Sequence, residues 1–131
     1  MKFLLDTGVW LWSVGSVDRL NKKARELLAD GTQELYFSAA SSWEIAIKAS
    51  LGKLSLPDSP ASYVPSRLAM QGIQNLPVLT KHALAVYDLP MHHADPFDRL
   101  LVAQARTESM VLLTSDKMFR KYRINLLWCG S

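Results

Sequence analysis

The sequence predicts a three-layer α/β/α domain with a mainly parallel central sheet. Three observations carry that expectation. Short apolar runs alternate with helix-period stretches along the chain, the pattern of strands joined by crossover helices. The runs at Phe3-Leu4-Leu5, Leu35-Tyr36-Phe37 and Val111-Leu112-Leu113 are continuously apolar, which suits strands covered on both faces. The first run breaks at Asp6-Thr7-Gly8 and the third ends in Thr114-Ser115-Asp116. In open α/β sheets ligands bind beyond the carboxyl ends of the strands, so both acids fall where a site is expected.

After Asp6 the stretch Val9-Trp10-Leu11-Trp12 is read as the end of a short helix, packed in the core or lining a surface groove. Asp18 to Ala29 reads as a helix with Leu20, Ala24, Leu27 and Leu28 on one face, closed by Asp30-Gly31. Residues 38 to 51 form a second helix, capped by Ser38 or Ser41 and stopped by Gly52. Its apolar face is expected to be Trp43, Ala46, Ile47 and Leu51, with Glu44 lying away from it. Pro57, Pro60 and Pro65 mark a loop that leads into a helix over Ala61 to Gln71. Leu76 to Leu79 is a short extended segment, and Thr80 caps a helix toward Tyr87 with His82 on its surface. A loop carries His92 and His93. Asp95-Pro96 then opens an apolar, buried helix with an N-cap Asp and a first-turn Pro. Lys117 to Tyr122 is a short basic helix, and Ile124 to Trp128 is the last strand.

A chain of 131 residues suits one domain, and 49% hydrophobic residues supply a core. A net charge of +3 permits a polyanionic partner without demanding one. The lone Cys129 rules out an internal disulfide and suits a reducing compartment. No signal peptide or membrane-length apolar run is evident, so the expectation is a soluble cytoplasmic domain.

Each acid has a local explanation. Asp6, Asp95 and Asp116 can start turns or cap helices, Asp98 favours a helix N-terminus, and Glu44 can pair with Lys48 for about 0.3–0.5 kcal/mol. Their joint placement asks for more. In a parallel sheet Asp6, Glu44, Asp95, Asp98 and Asp116 all fall at one edge, where like charges disfavour ionisation. A cation relieves that repulsion, and all-oxygen ligation points to Mg²⁺ or Mn²⁺. Such an ion activates water and steadies an in-line displacement, so a phosphodiester is the natural substrate class, with a phosphomonoester close behind.

The pieces FLLDT at 3–7, SAASSWEIAIKASLGKLSLP at 38–57, LPMHHADPFDRLLVAQA at 89–105 and LLTSDKMFRKY at 112–122 resemble a PIN-domain ribonuclease of the VapC toxin type. The second and third pieces are the specific ones, and together the four span nearly the whole chain. The resemblance implies a PIN-like fold and a Mg²⁺- or Mn²⁺-dependent cut in RNA, confined in some relatives to a tRNA or rRNA loop. It also implies a homodimer and a cognate antitoxin that holds the toxin inactive. Position by position, Asp6, Glu44 and Asp116 match the family acids, and the remaining acid falls in DPFDR, where Asp95 and Asp98 both qualify. The chain departs at Gly8, where relatives with DPFDR often carry His; that removes a polar contact beside Asp6 but no carboxylate.

Around these acids, Thr7, Thr114, Lys48 and Arg99 are candidate substrate contacts. Arg99 either pairs with the carboxylates or grips a phosphate. Lys117, Arg120, Lys121 and Arg123 are either a solvated face or part of an RNA track. Leu5-Asp6-Thr7-Gly8 also has the form of an aspartic-protease motif, but the amphipathic helices disagree with that β-rich fold. Gly8 stands where a dehalogenase-type phosphatase would need its second Asp. The alternatives left open are a non-catalytic PIN-like module that binds RNA or protein, and a phosphatase or DNase using the same acids.

Overall fold

The computed structural model describes residues 1–92 and 94–131, so His93 lies outside the described residues. Five strands, β1 (Lys2–Leu5), β2 (Glu34–Ser38), β3 (Ile73–Leu76), β4 (Val111–Thr114) and β5 (Leu126–Trp128), form one sheet in the order β3-β2-β1-β4-β5. Every pairing is parallel. The helices are α1 (Thr7–Gly15), α2 (Lys22–Ala29), α3 (Ala39–Ser50), α4 (Pro60–Gln71), α5 (Thr80–Ala85) and α6 (Pro96–Thr107). Short 3₁₀ turns occupy Val17–Arg19, Val86–Asp88 and Lys117–Lys121.

The pleat of β1 divides the core. Phe3 and Leu5 enter one apolar layer with Val9, Trp10, Ala24, Ile45, Val64 and Leu68. Leu4 points the other way, into a layer with Leu101, Val102, Met110, Phe119 and Tyr122. This is the expected α/β/α arrangement, and it explains why the strands carry no polar alternation. The chain runs from β1 outward to β2 and β3, then returns to the far side of β1 for β4. The strand order therefore reverses between β1 and β4, the place where α/β sheets open a crevice at their carboxyl ends.

Several local expectations give way to packing. The predicted helix over 18–29 is shorter: Asn21 caps α2, its side chain accepting from the Ala24 N–H at 2.9 Å. The extended segment expected at 76–79 lies earlier, as β3, because Leu35 to Ser38 register against Ile73 to Leu76. α4 runs through Pro65 and ends at Gly72, whose φ of 68° supplies the left-handed C-terminal turn. His82 is fully buried rather than on a surface. Its Nδ1 accepts from the Leu79 N–H at 3.0 Å, so Nε2 carries the proton given to Glu108 at 2.7 Å.

The larger reversal is in α3. Ser38 caps it, donating no role to Ser41, and the buried face is Ala40, Ser41, Glu44 and Ile45. Trp43 and Leu51 are exposed, each at 62%. Hydrophobic periodicity chose the wrong face here because the inward face of this helix carries Ser41 and a buried Glu44 whose partner, Thr7, lies far away in sequence.

Arg99 is the other correction. It is buried, and its guanidinium donates to the carbonyls of Pro90 (3.0 Å), Val86 (3.3 Å) and Leu89 (3.5 Å). Among the described residues it makes no ion pair with the acids, and it is a tie on the 86–90 segment instead of a phosphate grip. Arg99→Met keeps the apolar stem and leaves these carbonyls without their donor. We expect urea denaturation to show a loss of about 1.5–3 kcal/mol, whereas unchanged stability would mean water satisfies the segment equally well.

Candidate active site

Parallel register builds the site one strand end at a time. Leu5 pairs with Leu113, so the next position of β1, Asp6, comes beside the next position of β4, Thr114. The Thr114 hydroxyl donates to Asp6 Oδ2 and accepts from the Asp116 N–H at 3.0 Å. Asp6 Oδ1 caps α1, accepting from the Val9 N–H at 2.7 Å. One buried carboxylate thus ends a strand, starts a helix and joins two central strands. On the other side Leu5 pairs with Phe37, and α3 rises from Ser38 just beyond. Its second turn brings Glu44 inward, where Glu44 Oε1 accepts from the Thr7 hydroxyl at 2.7 Å and Oε2 from Lys48 Nζ at 2.7 Å.

The α6 N-terminus closes the group. Asp95 caps the helix, its Oδ1 accepting from the Phe97 N–H at 2.8 Å and the Asp98 N–H at 3.3 Å. Asp116 caps the 3₁₀ turn after β4 by accepting from the Met118 N–H at 2.9 Å. Asp6, Asp95 and Asp116 are therefore caps and cavity-lining residues at once. Asp6, Glu44, Asp95, Asp98 and Asp116 all line one cavity of about 320 Å³, together with Thr7, Gly8, Leu11, Lys48, Ser115 and Phe119. Both DPFDR acids face it.

Thr7 and Thr114 were expected to touch substrate. They are buried, and their hydroxyls are committed to Glu44 and Asp6, so they aim the carboxylates. Lys48 is half-exposed at the cavity, neutralising Glu44. Its ammonium pKa is raised, first by the hydrogen bond to Glu44. Trp10 leaves the candidate groove: it is fully buried, 4.9 Å from the Phe37 ring, with Nε1 donating to Gln71 at 2.9 Å. Leu11 and Trp12 remain partly exposed, and Leu11 reaches the cavity wall. His92 packs edge-on against Tyr122 at 5.0 Å. The basic run is exposed, with Arg120 laid over Trp128 at 4.2 Å. Cys129 is buried and its thiol is pushed up to about 12, so it is no nucleophile. Phe119, which floors the cavity, escaped sequence reasoning because an apolar residue in a basic run gives no signal of its own.

The crowding has an electrostatic signature. Asp98 is raised to about 7, first by burial and then by Asp95, Glu44, Asp116 and Asp6. Asp6 is raised to about 6 by burial, against the hydrogen bonds of Thr114 and Val9 and with the help of Asp116 and Glu44. Among the described residues no three His, Cys, Asp or Glu side chains form a ready-made metal-binding group. The donor chemistry nonetheless suits a hard divalent cation. The acids of the cavity offer only oxygen, and burial, with repulsion from the neighbouring carboxylates, makes two of them resist ionisation.

A five-stranded parallel sheet with acids gathered at its switch point defines an α/β domain of the acidic-cluster type. The chain belongs to the PIN domain family, whose model matches residues 3–125. It is similar to Ribonuclease VapC16 of Mycobacterium tuberculosis, at 42% identity over 67 residues. That match spans 51% of this chain and 47% of the relative, about half of each. In fold it is similar to VapBC2 from Rickettsia felis bound to a promoter DNA fragment, with a TM-score of 0.75, 17% identity, and 99% and 100% of the two chains covered. DNA-bound VapBC from Salmonella typhimurium gives 0.67, 17% identity and 97% of each chain.

The raised carboxyls set a pH dependence. Between about pH 4 and pH 7 the folded form holds protons that the unfolded form has shed, so metal-free stability falls as pH rises through that window. We expect Asp98→Asn to raise the melting temperature in EDTA at pH 8 by more than at pH 5. Equal shifts at the two pH values would show that Asp98 is not held protonated.

Proposed function

We propose that this chain is a metal-dependent endoribonuclease and the toxin of a toxin–antitoxin pair. The observation that carries the reading is the convergence of Asp6, Glu44, Asp95, Asp98 and Asp116 on one cavity at the carboxyl edge of a PIN sheet. The relative named Ribonuclease VapC16 supports the reaction class, and the VapBC neighbours support a cognate antitoxin. The substrate is RNA, with a tRNA or rRNA loop as the first candidates, and the working form is a homodimer.

The five carboxylates would hold Mg²⁺, with Mn²⁺ as a substitute. Such a cation, when bound, supplies charge to the phosphate oxygens and makes water more acidic. The chain's own residues do the rest. Thr114 and Thr7 fix the orientation of Asp6 and Glu44, so these oxygens need little ordering when the site fills. Lys48 sits half-exposed beside Glu44, where its ammonium can meet an incoming phosphate. Asp95 and Asp116, the more exposed acids, can accept a proton from the attacking water. An antitoxin would fill the cavity with an apolar segment over Leu11 and Trp12 and a basic side chain toward the acids.

The deciding experiment is cleavage of a mixed tRNA and rRNA pool by antitoxin-free protein in Mg²⁺, Mn²⁺ and EDTA. Discrete fragments are expected with metal alone. Asp6→Asn should lower the rate at least about a hundredfold while circular dichroism stays unchanged. A fully active Asp6→Asn protein would remove this residue from the site. Metal-independent cleavage would remove the cation from the reaction.

A further inference from the structure

The face of α3 that apolar periodicity placed in the core looks outward, and it does so beside the acid cavity. Trp43 is 62% exposed and immediately precedes Glu44. Phe97 is partly exposed and immediately precedes Asp98. The two rings meet across α3 and α6 with centroids 5.2 Å apart and planes at 73°, an edge-to-face pair. Successive residues on a helix turn by about 100°. Each helix therefore sends a carboxylate into the cavity and turns the aromatic next to it about a quarter of the way round, outside the cavity lining. The other tryptophans are less open: Trp10 is buried, and the partly exposed Trp12 and Trp128 each have an arginine over the ring, Arg19 at 5.7 Å and Arg120 at 4.2 Å. A tryptophan that keeps most of its surface in water has at least one ring face open.

We propose that Trp43, steadied by Phe97, is a stacking platform for an unpaired nucleobase next to the scissile phosphate of a single-stranded RNA. The inference rests on the nuclease reading above and adds a positioning residue to it. An aromatic face binds any base without reading its edges, and it fits beside a site that must hold a phosphate. Edge-to-face contact with Phe97 restricts the indole before substrate arrives, so less order has to be imposed on binding. The half-exposed Lys48, one turn along α3 from Glu44, adds the positive charge that an RNA backbone wants at the cavity. The apolar stripe continues to Ile47 and Leu51, which makes a second copy of this chain the competing occupant.

The test compares wild type, Trp43→Leu and Trp43→Phe. Binding of a short labelled single-stranded RNA is measured by anisotropy in EDTA. Cleavage of the tRNA and rRNA pool in Mg²⁺ and the oligomeric state by light scattering are measured on the same preparations. Trp43→Leu should weaken RNA binding about tenfold, and Trp43→Phe, which keeps an aromatic face, should stay within about twofold. RNA should quench tryptophan emission in wild type and quench it less in Trp43→Phe. The platform is overturned, with the nuclease intact, if wild type cuts RNA while Trp43→Leu binds and cuts equally well. It is also overturned if Trp43→Leu dissociates an oligomer without changing RNA affinity per chain, since the face then lies between copies. A wild-type protein that neither binds nor cuts RNA overturns both readings.

Discussion

The parallel pairing of β1 with β4 is the constraint on which the acidic site depends. It brings Asp6 beside Thr114, and the hydrogen bond between them spans the point where strand order reverses. Asp6 also caps α1. A buried carboxylate is tolerable only when its oxygens are satisfied, and this one is satisfied by a strand end and a helix start together. The fold and the site are thus not separate layers of design. The helix that covers one face of the sheet begins on the residue that anchors the cavity.

The other acids reach the cavity by the same economy. Asp95 and Asp116 are ordinary caps whose helices and turns happen to begin at the carboxyl edge of the sheet. Glu44 is the exception, since it lies a turn and a half into α3 and is buried with Thr7 and Lys48 as its partners. Its burial sets the rotation of the helix and sends Trp43 outward. Desolvation and mutual repulsion then raise Asp6 and Asp98 together. A chain that keeps such a group stores an unfavourable interaction, which a divalent cation would relieve. Stability and the proposed reaction therefore pull in opposite directions at these positions.

Positive charge divides by environment. Arg99, buried under the 86–90 segment, is taken up by three backbone carbonyls and is structural. Lys48 remains at the cavity mouth with half its side chain in water. Arg120 lies on Trp128, and the rest of its run stays exposed. Exposed cations of this kind add little to stability and are best placed to meet a polyanion.

Much of this was legible in the chain. Continuous apolar runs and helix-period stretches gave a three-layer parallel architecture, because a strand buried on both faces cannot alternate polar residues. Acids placed directly after strands gave the edge at which the acidic cavity opens, because strand polarity in a parallel sheet puts every carboxyl end together. Asp95-Pro96 gave the start of α6, because an N-cap is a local signal. The facing of α3, the burial of His82, the anchoring of Arg99 and the duty of Thr7 and Thr114 were decided only in three dimensions. Each turns on a partner outside its own helix or strand: Thr7 for Glu44, Glu108 for His82, Pro90 for Arg99, Asp6 for Thr114. Local periodicity weighs a side chain by its own hydrophobicity, whereas burial weighs it by the partners that the tertiary fold brings within reach.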